Sequence, residues 1–229
     1  MGHPRENDSD EPHESTITVI AGAFAEALLT ADEVAAEIAI RAAMDAGLGT
    51  AEIDEQVIAP ALWLVGELWE RGKISVAEEH IATEITVRVL ALQREVQRVE
   101  QSRAGRRALL ATPAGEFHVV ALRMVANLLR GAGYDVVMLG ADVPPVALAG
   151  AVQRFDAHVI CMSSTMPGGA DQVLHAIDEV RRKSPSTAFV VGGGGLSVQW
   201  QLRTEVHVCG RVSEAVEAVD AMVHRARLN

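Results

Sequence analysis

The chain has 229 residues, 49% of them hydrophobic, and a formal net charge of −11. That length supports one large domain or two small ones with real cores, while the acid excess argues against direct nucleic-acid binding, which needs a basic face. There is no apolar run of about 18 residues to cross a membrane and no apolar signal segment near the start. The two cysteines, Cys161 and Cys209, sit inside apolar runs, so a reducing cytoplasm is the expected location.

Residues 1–15 are polar, acidic and rich in turn formers, and are expected to form a disordered leader. Helical patterning then runs to about Gln101. Thr30-Ala-Asp-Glu33 has the form of a capping box, opening a helix with apolar Val34, Ile38 and Met44 at helical spacing. Gly47 is placed to stop it. A further helix is expected from Thr50, with Pro60 marking a break or a fresh first turn before residues 61–71, and Gly72 ending it. Ser75-Val-Ala-Glu78 is a second capping box, opening a long helix with Ile81, Ile85, Val89 and Leu92 on one stripe. About four helices with short loops make a small cap bundle over residues 16–103. The basic stretch from Arg103 to Arg107, preceded by Arg94 and Arg98, reads as a solvated helix end and linker.

From residue 104 to 229 the pattern changes. Residues 108–112, 135–139, 159–163 and 188–191 are short apolar runs, each followed by a helix-length amphipathic segment. Strands buried on both faces and alternating with helices predict an α/β domain, a doubly wound parallel sheet of Rossmann-like, flavodoxin-like kind. A weaker strand near Glu205 to Cys209 and a helix from Ser213 to Arg225 complete it. Ligands of such sheets bind in loops at the carboxyl ends of the strands.

Three of those loops carry polar or flexible residues. Pro113-Ala-Gly-Glu116-Phe117-His118 places a carboxylate two residues before an imidazole at a helix start. Ser163-Ser164-Thr165-Met-Pro-Gly-Gly presents hydroxyls. Gly192-Gly193-Gly194-Gly195 allows backbone to approach a bulky ligand. Singly, each loop also admits a plain structural role as a cap or a turn. No phosphate-binding glycine motif follows the first strand.

Their spacing is specific. Glu116-Phe-His118-Val-Val-Ala121 is followed by 41 residues and then Ser163-Ser-Thr165, and another 26 residues lead to Gly192-Gly193. This resembles the cobalamin-binding domain shared by methionine synthase, corrinoid methyl carriers, mutases and cobalamin photoreceptors, whose motif is D-x-H-x-x-G, S-x-L and G-G. The resemblance implies that His118 is the lower cobalt ligand, supported by Glu116, and that the nucleotide tail occupies a slot walled by the Ser163 and Gly192 loops. Imidazole is a suitable cobalt ligand, and a carboxylate behind it fixes the tautomer. Two departures stand out: Glu116 replaces the usual Asp, and Ala121 the usual Gly.

In the helical region, Trp69, nine residues, then Glu79-His80 is similar to the cap signature of CarH-type adenosylcobalamin-dependent photoreceptors. There the Trp packs over the adenosyl group and the Glu and His help hold it. Glu70 stands where those regulators carry a second histidine, so a bis-His light state through that residue is not expected. Those regulators also carry an N-terminal DNA-binding domain; here only an acidic leader of about fifteen residues is expected ahead of the bundle, so the same output is not expected. The resemblance implies a stand-alone light sensor holding adenosylcobalamin, a homo-oligomer that signals through a separate effector protein, with biliverdin as a second chromophore in one subgroup. A corrinoid methyl carrier serving a methyltransferase is the alternative. An enzyme in its own right is not expected.

Overall fold

The computed structural model describes residues 14–96, 106–196, 200 and 206–226. The leader expected over residues 1–15 therefore lies outside it up to residue 13, with Glu14 already opening the first helix; Arg98 and Arg103 of the basic stretch also lie outside it, while Arg94 is in the fifth helix and Arg107 opens the first strand instead of belonging to a linker. The chain divides into two compact units that part between Val89 and Leu90, inside a helix and ahead of the boundary near residue 103 read from the sequence.

The first unit is helical. Helix α1 (Glu14–Leu29) packs on α2 (Glu33–Asp45) and on α4 (Ala59–Glu70), burying Phe24 and Leu28 with Ile40, Ile53, Ile58 and Val65. The short α3 (Thr50–Ile53) runs through a π-helical turn, Asp54–Ile58, directly into α4, with Pro60 in the first turn of α4. Proline has no N–H to give to a helical ladder, and the widened turn before it, closed by Ala59 N–H to Asp54 O, keeps the helix continuous. Helix α5 (Val76–Val96) opens with the Ser75–Glu78 capping box: Ser75 N–H donates to Glu78 Oε2 at 2.6 Å and Glu78 N–H to Ser75 Oγ at 3.3 Å.

Three expectations from the sequence are corrected by the structure. Thr30 does not cap α2. Its hydroxyl bonds back to Glu26 O at 2.9 Å, and the cap is Asp32, whose carboxylate accepts Ala35 N–H at 2.9 Å, an interaction worth about 1 kcal/mol. The apolar stripe of α2 is also rotated: Val34 and Ile38 are exposed, while Ala36, Ala39, Ile40 and Ala43 face inward. Small alanines let helices approach closely, so the buried face is not the one with the largest side chains. Likewise, in α5 Ile85 and Val89 are buried with Ala82 and Leu90, but Ile81 is exposed.

The second unit is the α/β domain. Strands β1 (Arg107–Pro113), β2 (Asp135–Val143), β3 (Val159–Ser163), β4 (Ala188–Gly192) and β5 (His207–Cys209) form a parallel sheet in the order β2-β1-β3-β4-β5 among the described residues. Glu205 of the expected last strand lies outside the described residues. Successive residues of β1 face opposite ways. Ala108 and Leu110 meet Leu122 and Leu129 of α6 (Val120–Gly131) and Val219 and Met222 of α9 (Ala215–Ala226). Leu109 and Ala111 meet Leu148 and Val152 of α7 (Pro145–Phe155) and Val173 and Ile177 of α8 (Gly169–Lys183). Both faces are covered, which is why these strands read as unbroken apolar runs.

In this order the chain leaves β1 toward β2 on one side and later returns to β3 on the other. Such a switch point opens a crevice at the carboxyl ends of β1 and β3. The Glu116–His118 loop and the Ser163–Thr165 loop both emerge there.

Candidate functional site

Glu116 organises the site. Its carboxylate is 3% exposed yet bonds at both oxygens. Oε1 accepts His118 N–H at 3.0 Å and faces His118 Nδ1 at 2.6 Å; Oε2 accepts the backbone N–H groups of Thr165 at 2.7 Å and Met166 at 3.0 Å. One side chain thus ties the loop after β1 to the loop after β3. Burial pushes its pKa up, but the hydrogen bonds from His118, Met166 and Thr165 outweigh burial and hold the carboxyl below the ordinary carboxylate range.

An ionised carboxylate only accepts hydrogen bonds, so Nδ1 of His118 carries the ring proton in that contact. In the neutral ring this leaves the Nε2 lone pair unused, on a side chain that is 58% exposed. A buried anion behind an exposed imidazole orients the ring and strengthens its outer nitrogen as a metal donor. Phe117 is exposed beside it. Ala121 is exposed in the first turn of α6, so its methyl crowds nothing within this unit.

The longer side chain of Glu116, compared with an aspartate, has a visible use. It reaches two backbone amides of the neighbouring loop while still holding His118. Sequence reasoning assigned Glu116 only the second of these tasks. The cross-link to Thr165 and Met166 has no sequence signal, because it uses main-chain donors.

Ser163 ends β3 and is buried; Ser164 is fully buried, and its Oγ has no hydrogen-bond partner among the described residues. Its backbone is paired with the glycine loop, donating to Gly192 O at 2.9 Å and accepting from Gly195 N–H at 3.0 Å. Thr165 is exposed. The glycines therefore have a partner that the sequence did not suggest. A Cβ on Gly193 would stand 2.2 Å from Ser164 O, and one on Gly195 2.4 Å from Met166 O. These two positions are glycine so that two loop backbones can touch. Of the predicted glycines, Gly194 alone has open space where a Cβ would point; at Gly192 a Cβ would lie 3.3 Å from Cys209 O.

In the first unit, Trp69 ends α4 and is 47% exposed, so its ring is not a core filler. Glu79 and His80 lie in the first turn of α5. His80 Nδ1 is 2.5 Å from Glu79 Oε2, and Thr83 Oγ1 donates to Glu79 Oε1 at 3.0 Å. Thr83, one turn further on, orients the pair and was not anticipated. Glu70, next to Trp69, is exposed. Among the described residues no group of three or more His, Cys, Asp or Glu side chains is placed to hold a metal ion. No helix among them is long and apolar enough to cross a membrane.

Two family models, each described as a B12 binding domain, match this chain, one over residues 106–221 and the other over residues 20–93. The HTH-type transcriptional repressor CarA of Myxococcus xanthus is 28% identical over 166 residues, covering 72% of this chain and 56% of that protein. Trimethylamine corrinoid protein 1 of Methanosarcina mazei is 24% identical over 195 residues, covering 83% of this chain and 90% of that protein. The alignments span only about half the length of the curated Myxococcus repressors. The solved structure of the Methanosarcina barkeri monomethylamine corrinoid protein superposes with a TM-score of 0.71 at 18% identity, covering 90% of this chain and 99% of that one. On these grounds the chain belongs to the family of B12-binding, that is cobalamin-binding, domain proteins.

Proposed function

We propose that this protein is a light sensor that holds adenosylcobalamin, with His118 as the lower ligand of cobalt and with Trp69, Glu79 and His80 on the adenosyl group. The residues fit such a cofactor. His118 presents one outer nitrogen on a ring fixed from behind, and Ser164 keeps a buried hydroxyl, beside Gly169 at the start of α8, without a partner among the described residues. A corrin ring supplies four of the cobalt ligands itself, which matches a single protein imidazole.

The observation that carries the sensor reading is the half-exposed Trp69 combined with the ordered Glu79–His80 pair. A tryptophan left half in solvent near a helix end forgoes about half of the roughly 1.5–3 kcal/mol that full burial of a large apolar side chain is worth, and a bound adenosyl group would recover part of it. Bound adenosylcobalamin supplies a cobalt–carbon bond that light breaks. Residues 69, 79 and 80 then lose the group they hold, and the first unit shifts between two states or two assembly forms. A homo-oligomer and a separate effector protein complete the reading, and biliverdin is proposed as a second chromophore.

The test compares Trp69→Ala with the wild type for two cofactors. Adenosylcobalamin binding should weaken about tenfold, the equivalent of ~1.4 kcal/mol, while methylcobalamin binding stays within twofold. Equal losses for both would remove the adenosyl role of Trp69.

A second reading, a corrinoid methyl carrier, is favoured by one observation: the methylamine corrinoid relatives align over most of their own length. It calls for a methyl group at the same cobalt and no light response.

A further inference from the structure

Strand β2 is longer than its apolar run, reaching Val143, and it is irregular beside β1. Ala111 pairs with Gly140 and Pro113 with Val143, so residues are inserted on the β2 side. Such bulges re-aim a side chain. Here they place Gly140 at φ 90° and Asp142 at φ 53°, a left-handed conformation that Asp and Asn tolerate better than other side chains.

Asp142 then holds the loop that carries His118. Its Oδ1 accepts Gly115 N–H at 2.8 Å, and its own N–H donates to Glu116 O at 3.0 Å and to Thr112 Oγ1 at 3.1 Å. Thr112, buried at the end of β1, donates a hydroxyl hydrogen bond to the same Glu116 carbonyl at 2.5 Å. Gly115 is itself left-handed at φ 80°, so its direction depends on what its N–H meets. The Glu116 backbone is thus held from β1 and β2, and its carboxylate from the β3 loop. His118 hangs from that carboxylate by both its N–H and its Nδ1.

We propose that Asp142, carried on the bulge of β2, is a positioning residue for His118: by pinning Gly115 and Glu116 it holds the imidazole at the height at which it meets cobalt. The proposal rests on His118 being the cobalt ligand. It also explains why a strained Asp stands at a strand end where a glycine would meet the backbone requirement alone.

The test uses the full chain and three substitutions. Asp142→Ala removes the acceptor and disfavours the left-handed turn. Asp142→Gly keeps the turn and removes the acceptor. Asp142→Asn keeps both. Each is loaded with methylcobalamin, and the His-on and His-off forms are quantified from the absorption spectrum with and without added imidazole, alongside His118→Ala. The ring ¹⁵N shifts of His118 in the cofactor-free protein report independently whether Nδ1 still holds its partner. The Ala and Gly variants should raise the His-off fraction roughly threefold to tenfold, less than the 10–100-fold usual for a residue touching the ligand directly; Asn should restore the wild-type ratio. Wild-type ratios in both Ala and Gly, with His118→Ala fully His-off, would overturn the role of Asp142 and leave His118 in place. Should Ala fail to fold, Gly and Asn decide the matter alone. An unchanged spectrum in His118→Ala would overturn the ligand assignment itself, and the positioning role with it.

Discussion

His118→Ala should leave the fold intact and abolish the His-on spectrum of bound cobalamin. The side chain is 58% exposed and its hydrogen bond among the described residues is to Glu116, which keeps the backbone N–H of residue 118 in the variant, so the stability cost should be roughly 0.5–1.5 kcal/mol. Binding should be hit much harder. Residues that merely support a metal ligand cost 10–100-fold when removed, so losing the ligand should cost at least about tenfold, or ~1.4 kcal/mol. Titration of the apo-protein with methylcobalamin, read by absorbance, gives both the affinity and the ligation state. A variant with wild-type affinity and a wild-type spectrum would show that cobalt takes its lower ligand elsewhere.

Gly193→Ala should be strongly destabilising, although it adds a single methyl group. The new Cβ would lie 2.2 Å from Ser164 O and 2.7 Å from Ser164 C, both backbone atoms, at a residue whose φ is 106°. Backbone cannot swing aside as a flexible side chain can. Strain at such a φ costs of order 1–3 kcal/mol and overpacking typically about 1–3 kcal/mol more, so a loss of roughly 2–6 kcal/mol is expected in denaturant unfolding of the apo-protein. Gly194→Ala is the control: nothing lies within 4 Å of its Cβ position, and stability should change by less than about 1 kcal/mol. Equal effects at the two positions would contradict the loop-on-loop packing described above.

These two predictions also mark how far the sequence was legible. The parallel sheet could be read because β1, β3 and β4 are buried on both faces and so lack the alternation that a one-sided sheet would show. The end of β2 could not, because Gly140 and Asp142 look like loop residues and become part of a strand only through the bulge against β1. The inward face of α2 was misread because Val34 and Ile38 are larger than the alanines that pack; periodicity reports where apolar residues recur, and tertiary packing chooses between two apolar faces. At the site, Glu116 and His118 declared themselves by spacing, and the structure brings them together. The link from Glu116 to Thr165 and Met166, and the filling of the Gly193 and Gly195 positions by the Ser164 loop, run through main-chain atoms, which carry no residue-type signal. The exposure of Trp69 has no sequence signal either: its ring is half exposed while Val65 on the same helix is buried.

The sensor reading meets its most direct test in one absorption measurement. The protein is mixed in the dark with adenosylcobalamin, its spectrum is recorded, green light is applied and the spectrum is recorded again, with size-exclusion elution followed on both samples. A sensor gives a His-on cofactor spectrum that photoconverts, together with a shift in elution. A bound cofactor with the same protein elution before and after light would contradict the sensor and leave the methyl carrier as the function to pursue.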